Sequence, residues 1–215
     1  MVNSLILGQI FSIRWIYLLL FVFNFALLEA FVDPAPKLIR SVDVVLNILY
    51  NEDKPNLELS RTDLESSILL YLSSQYNLDI IIRRTIGRNW NKIDNEHRTQ
   101  IVGLIKQLVL RAYVDGMIGK SKPDIEFHKT RFISDKRAEV PQSICLEGLK
   151  IELIYRLGII ENKWEIFDLV VEDMSIVASY RNQFDIYFSK HGSDELIKKL
   201  KILLLDENLG NALPL

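Results

Sequence analysis

The chain has 215 residues, of which 49% are hydrophobic and 25% charged, so it can form a packed core, and wholesale disorder is excluded. Its formal net charge of −2 argues against a nucleic-acid-binding protein, because such a protein requires a concentrated basic surface. The single cysteine, Cys145, cannot form an intramolecular disulfide, so the fold is held by other means.

Residues 1–30 form a segment of their own. Arg14 precedes a run of 14 residues, 15–28, that is apolar except for Asn24. One positive charge before such a run is typical of a secretory signal peptide, and the run is short for a membrane span of about 20 residues. Ala30 is the candidate last residue of the signal, but Leu28 is large where a small residue is expected. Residues 1–30 are therefore expected to be a signal peptide or, failing cleavage, an N-terminal anchor, and residues 31–215 one domain.

The first half of this domain has the periodicity of helices. Apolar spacing predicts four of them, over about 38–50, 62–76, 78–86 and 95–117. Thr62 and Glu65 have capping-box spacing, and Asp94 is placed to cap the longest helix. Leu104 and Leu108 lie on the apolar stripe of that helix, which we expect either to be core or to line a cavity.

After Pro123 the pattern changes to the two-residue period of strands. Strands are expected over 124–133, 136–144, 148–157 and 164–171, with the first two polar and outermost. Alternation along the third strand places Ile151, Leu153 and Tyr155 on one apolar face. Strands after a helical half predict an α+β fold, with a curved antiparallel sheet of three to five strands wrapped by helices.

Two helices are expected after the last strand. Val177, Tyr180 and Phe184 share one face of the first, at steps of three and four residues. Gly192 is expected to end it in the left-handed conformation, and Ser193 to cap the second.

Residues capable of catalysis are scarce. The three histidines lie far apart without a second ligand at metal spacing, and no nucleophile-elbow, P-loop or dinucleotide-binding motif is present. Asp168 is the one acid inside an apolar strand. It is either a general base with a raised pKa or, the reading we favour, a structural partner of a cation such as Arg181. The sequence therefore predicts a protein that is not an enzyme.

Several short runs carry a resemblance to a known family. They are W-x-x-x-D from Trp164, V-E-D-x-S-x-V from Val171, Y-R-x-Q-F from Tyr180, and G-x-x-x-L-I-x-x-L from Gly192, preceded by I-G-R-N-W from Ile86. In this order, over roughly residues 37–203, the chain resembles the MlaC family, also called toluene-tolerance proteins. It departs from the family pattern at Asp173, where the family usually has glycine.

The resemblance implies a function and partners. MlaC proteins are periplasmic phospholipid carriers of an ABC-type intermembrane lipid transport system that acts in outer-membrane lipid asymmetry. The implied partners are phospholipid, an inner-membrane ABC transporter complex with its MCE-domain protein, and an outer-membrane lipoprotein complex. No cofactor is implied, since the bound phospholipid is cargo. The resemblance also implies a cone-like sheet with a small helical subdomain around an apolar lipid cavity. Two other functions stay open: a membrane-anchored partner-binding module, and a curved-sheet enzyme using Asp168.

We expect the cavity to lie between the apolar face of the third strand and the helices. The candidate lipid-binding residues are Trp90, Leu104, Leu108, Tyr113, Ile151, Leu153, Tyr155, Phe167, Tyr180, Arg181 and Phe184. Arg181 is a candidate either for contact with a lipid phosphate at the cavity mouth or for a tie to Asp168. Arg83, Arg84 and Arg88 are a second candidate phosphate site, although a solvated surface paired with nearby acids is the expected alternative.

Overall fold

The computed structural model describes residues 32–50 and 60–206, and the expected leader, residues 1–30, lies outside them. The helices are α1 (Ala35–Leu49), α2 (Arg61–Gln75), α3 (Asp79–Ile86), α4 (Asn95–Met117), α5 (Ile176–Phe188) and α6 (Ser193–Leu205), with a 3-10 helix at Gly87–Lys92. The strands are β1 (Asp124–Phe127), β2 (Arg131–Ser134), β3 (Arg137–Leu146), β4 (Leu149–Ile160), β5 (Lys163–Val171) and β6 (Met174–Ser175). The predicted α+β class is confirmed. Among the described helices, none combines the length and the apolar character needed to cross a membrane.

All strands pair antiparallel in one sheet of order β1-β3-β4-β5-β6, with β2 alongside β3 next to β1. The described residues form six strands and not the four expected in the sequence, because the expected strand over 124–133 is interrupted and gives β1 and β2, and because β6 was not predicted. At the interruption the hydroxyl of Thr130 donates to Asp33 Oδ1 at 2.7 Å, which holds the chain away from the regular ladder. The two-residue strand β6 pairs on the opposite edge.

Strand β3 corrects one sequence prediction. It was expected to be a polar outer strand, but it lies between β4 and the two short strands β1 and β2. Ala138, Val140 and Gln142 are all buried on one face of it. Pro141 at an intervening position and the amide of Gln142 at an apolar one concealed this alternation.

A β-bulge bends the sheet between β4 and β5. Arg156 pairs with Asp168 and Leu157 with Ile166, so Phe167 is the extra residue in β5. A Cβ at Gly158 would lie 3.3 Å from the Phe167 ring, so glycine leaves the space that this ring fills. Because a bulge increases the local twist, this one contributes to the curvature of the sheet.

Three apolar clusters hold the elements together. The sheet cluster comprises Ala35, Leu38, Tyr76, Ala138, Val140, Leu157, Trp164 and Ile166. The helical cluster comprises Ile82, Ile86, Ile93, Ile101, Val102, Ile105, Leu108, Phe184, Leu196, Ile197 and Leu200. The annex cluster, at the meeting of α1, α2 and α4, comprises Val45, Ile68, Leu110 and Val114. This last cluster forms the core of the expected small helical subdomain.

The helix caps confirm one prediction and correct three. Asp94 caps α4 by accepting from the backbone N–H of His97 at 2.9 Å. Helix α2 has its capping box at Ser60 and Asp63 and not at the predicted Thr62, since each backbone N–H donates to the other side chain.

Gly192 is not left-handed, with φ of −94°, and it is itself the N-cap of α6. Its N–H donates to the Glu195 carboxylate at 3.1 Å. The hydroxyl of Ser193, expected to cap α6, instead lies 2.8 Å from His97 Nδ1.

We expect Asp173→Gly to raise the free energy of unfolding by about 0.5–1 kcal/mol. Asp173 has a φ of +63° and follows Glu172 at +47° in the tight turn from β5 to β6, where glycine has no steric cost. Chemical denaturation of the two proteins measures the difference. The paired variant Asp173→Ala should lose stability, because alanine tolerates this conformation less well than aspartate does. Equal stability of all three would show that the turn is unstrained.

Candidate functional site

The centre of the sheet presents one apolar side, here called the inner face. Across β3 and β4, Val140 pairs with Tyr155 and Gln142 with Leu153, while across β4 and β5 Tyr155 pairs with Leu169. Paired residues point to the same side of a sheet. The inner face comprises Phe127, Val140, Gln142, Ile144, Ile151, Leu153, Tyr155, Leu169 and Val171.

Helices cover this face unevenly. Residues Leu38 of α1 and Ile81 of α3 pack over the part that contains Val140, in and against the sheet cluster. The long helix α4 makes its main contacts with α2 and α6 and not with the sheet. The part of the inner face with Ile151 and Leu153 is accordingly only half-buried.

Two tyrosines indicate a hollow between α4 and the inner face. Burial raises the pKa of Tyr113, on α4, to about 12, although 40% of its surface stays accessible. Tyr155, on the inner face, is likewise only half-buried. Burial also raises the pKa of Tyr155, with a smaller contribution from Tyr113 and Tyr76, which places these rings near one another. Together with the half-buried Ile151 and Leu153, these positions place a hollow beside Tyr113 and Tyr155.

The annex meets the sheet at one end of this hollow. The hydroxyl of Tyr50, just after α1, donates to the carbonyl of Met117 at the end of α4, at 3.4 Å. Burial, and secondarily the charge of Glu147, raises the pKa of Tyr50. Since Glu147 lies in the turn from β3 to β4, the ends of α1 and α4 lie near that hairpin.

The structure brings together four of the predicted lipid-binding residues. Ile151, Leu153 and Tyr155 lie on the inner face, and Tyr113 lies across the hollow from Tyr155. Contact of these four residues with a lipid stays a prediction.

Five other candidates belong to the helical cluster or its margin: Trp90, Leu104, Leu108, Tyr180 and Phe184. Leu104 and Leu108 were expected to face the sheet across the cavity. They do not, because the apolar stripe of α4 is covered instead by Leu196 and Leu200 of α6. Any contact of these five residues with cargo stays a prediction.

Trp90 also borders a groove on the outer side of the helices. The groove has a volume of about 560 Å³ and is lined by Asp79, Trp90, Asn95, Arg98, Thr99, Val102, Gly103 and Lys106. The guanidinium carbon of Arg98 lies 5.3 Å from the Trp90 ring centre. Trp90 thus lines an open groove whose other residues come from α3 and α4 and not from the inner face.

Asp168 is a structural residue. It is 6% exposed, and it accepts from Arg156 Nη1 at 3.2 Å, from the Ser175 hydroxyl at 2.8 Å and from the Val177 N–H at 3.1 Å. Asp168 pairs with a cation, as expected, but the cation is Arg156 and not Arg181. Arg156 is directly opposite on β4, a pairing that the strand register creates and sequence spacing does not reveal. With both oxygens accepting hydrogen bonds, Asp168 is not arranged as a free general base.

Arg181 instead binds the C-terminal end of helix α3 through its side chain. Its Nε and Nη2 donate to the carbonyl of Arg84 at 2.9 and 2.8 Å, so it satisfies one of the last acceptors of that helix. The guanidinium carbon of Arg84 lies 4.9 Å from the ring centre of Phe167. Phe167, a candidate lipid contact, therefore lies in the bulge beside Arg84.

Of the three clustered arginines, Arg88 is paired with Asp185, at 3.1 Å. That pairing fits the expected alternative, a solvated surface paired with nearby acids. Within the residues described, no three His, Cys, Asp or Glu side chains are grouped so that they could hold a metal ion.

We expect Arg181→Gln to lower the free energy of unfolding by about 1 kcal/mol and to leave lipid binding intact, because its bonds go to a helix end. Denaturation and lipid content per protein are the two measurements. Arg40→Gln, on an exposed position of α1, is the control for loss of one positive charge. A well-folded Arg181→Gln protein that no longer holds lipid would assign Arg181 to the head group.

The model of the MlaC protein family matches residues 40–202 of the chain. No curated protein is similar enough to match. A solved structure that matches is the phospholipid-binding protein from Ralstonia solanacearum in complex with a phospholipid. The identity is 21%, the match covers 80% of this chain and 96% of that chain, and the TM-score is 0.67, which shows a shared fold.

Proposed function

The chain belongs to the MlaC family, and from this premise we propose that it is a periplasmic phospholipid carrier of an ABC-type intermembrane lipid transport system. The observation that carries the proposal is that Ile151, Leu153 and Tyr155 on the apolar inner face are only half-buried, so the helices leave part of this face free to contact a ligand. The similar fold of the Ralstonia solanacearum protein, whose structure contains a phospholipid, supports the same function.

A phospholipid carrier must enclose the acyl chains, because exposing them to water costs much free energy. Two acyl chains contain on the order of 30 methylenes, and each costs about 0.8 kcal/mol to expose to water. Transfer through water without a carrier would therefore cost on the order of 24 kcal/mol. The half-buried apolar residues Ile151 and Leu153 offer the chains an alternative to water, and the head group would remain near the opening.

Loading and unloading must then occur on docked partners, since release of the chains into water is prohibitive. The proposed partners are the inner-membrane ABC transporter complex with its MCE-domain protein and an outer-membrane lipoprotein complex. Export through a cleaved leader, residues 1–30, is part of the same proposal, because the partners face the periplasm from both membranes.

The test is a leaderless protein that begins at Phe31, mixed with vesicles of phosphatidylethanolamine and phosphatidylglycerol that contain a fluorescent phospholipid. The protein should extract about one lipid per chain and pass it to acceptor vesicles only when a partner complex is present. Protein that is folded and initially empty, yet extracts no lipid, would contradict the proposal.

A further inference from the structure

A buried amide interrupts the apolar inner face. Gln142 is 1% exposed, and neither its Oε1 nor its Nε2 has a hydrogen-bond partner among the described residues. It lies two positions beyond Val140 on β3 and opposite Leu153 on β4, so its side chain belongs to the inner face. The adjacent Ser143, which points to the other side, has partners in Glu152 and His128.

This arrangement is unfavourable for the protein alone. A buried polar group without a partner costs about 1–3 kcal/mol, and Gln142 has such a group at both ends of its amide. An apolar side chain of the same length, such as methionine, would avoid the cost. The amide is therefore better explained by a partner that the described part of the chain does not supply.

Two aromatic rings form the surroundings of this amide. Phe127 on β1 is directly opposite Gln142, and Tyr155 is diagonally across from it on β4. The rings come from the strands on either side of β3 and stack with their centres 6.5 Å apart, so they meet over β3. Leu153, directly opposite Gln142 on β4, is only half-buried, so the amide lies under an aromatic cover at the wall of the hollow.

We propose that Gln142 is the polar contact for cargo inside the hollow, and that its Nε2 donates a hydrogen bond to an acyl-ester carbonyl of a glycerolipid. This inference rests on the proposed function, since it concerns the cargo of that same site. Parting of the Phe127 and Tyr155 rings gives the carbonyl access to the amide.

The chemistry of the lipid identifies the ester carbonyl as the partner. A diacyl glycerophospholipid is apolar beyond its head group except for its two ester linkages, whose carbonyl oxygens accept hydrogen bonds. An ether-linked lipid with chains of the same length has no such carbonyl. A site that provides a buried donor discriminates against a ligand that leaves this donor unpaired. The carrier should accordingly prefer ester-linked lipids.

The experiment compares the affinity of the delipidated, leaderless protein for diester and diether phosphatidylcholine with equal chain lengths. The wild-type protein should bind the diester lipid between about threefold and tenfold more tightly, the ratio that one hydrogen bond provides. Gln142→Met should bind both lipids equally. Its lipid-free form should also melt at a higher temperature than the wild type, because the unpaired amide is gone.

Gln107→Met, an exposed glutamine on α4, is the matched control and should keep the ester preference. The preference of the wild type and its loss in Gln142→Met together support the inference. Equal binding of the two lipids by the wild type overturns the inference and leaves the carrier function intact, and so does a preference that survives in Gln142→Met. Failure of the wild type to bind either lipid overturns the proposed function itself.

Discussion

Replacing Asp168 by alanine is expected to lower the free energy of unfolding by about 3 kcal/mol. The carboxylate joins β5 to Arg156 on β4 and to the first turn of α5 through Ser175 and Val177. Its removal leaves the Val177 N–H, which is buried, without its acceptor, and Arg156 with Glu139 as its remaining partner. Urea denaturation followed by circular dichroism measures the loss.

Asp124→Ala is the matched control, since Asp124 is an exposed aspartate on the edge strand β1 and should change stability little. An Asp168→Ala protein as stable as the wild type would show that the junction of β5 and α5 does not depend on this carboxylate. Loss of an enzymatic activity without loss of stability would revive the alternative of a catalytic Asp168.

Leu153→Asp is expected to reduce co-purified lipid to less than about a tenth of the wild-type amount. Leu153 pairs with Gln142 on β3 and with Val171 on β5, in the middle of the half-buried part of the inner face. A carboxylate there would have to remain charged among acyl chains, where it has no partner, or be protonated at a cost. Lipid extraction and mass spectrometry quantify the content.

The control for Leu153→Asp lies on the same strand and the same face. Leu149 is 70% exposed at the start of β4, so an aspartate at this position stays in water and should leave the lipid content unchanged. Circular dichroism verifies that both variants are folded. A folded Leu153→Asp protein with normal lipid content would show that the cargo lies elsewhere.

The parts of the fold that could be predicted from sequence are the helices and strands with a clear apolar periodicity. The helices 62–76 and 95–117 and the β4 alternation of Ile151, Leu153 and Tyr155 were predicted because each pattern is local. The central position of β3 was missed, because strand order depends on pairing between distant segments. The same limit applies to Asp168, whose partner Arg156 is set by strand register.

For the candidate site, the sequence predicted correctly only which strand residues share one face of the sheet. A helical stripe shows that Leu104 and Leu108 are covered, but it does not show by which element, and α6 covers them. Gln142 was not singled out, although a signal existed: it follows Ala138 and Val140 at a spacing of two. A polar residue at an alternating apolar position is the pattern that could have identified it.

If the proposed function is correct, this chain encloses one phospholipid in the hollow between α4 and the inner face. Native mass spectrometry of the exported protein, purified without detergent, is the direct test. We expect a main species whose mass exceeds that of the leaderless chain by one phospholipid, and a loss of that species in Leu153→Asp. A folded protein that carries no lipid, even after incubation with phospholipid vesicles, would contradict it.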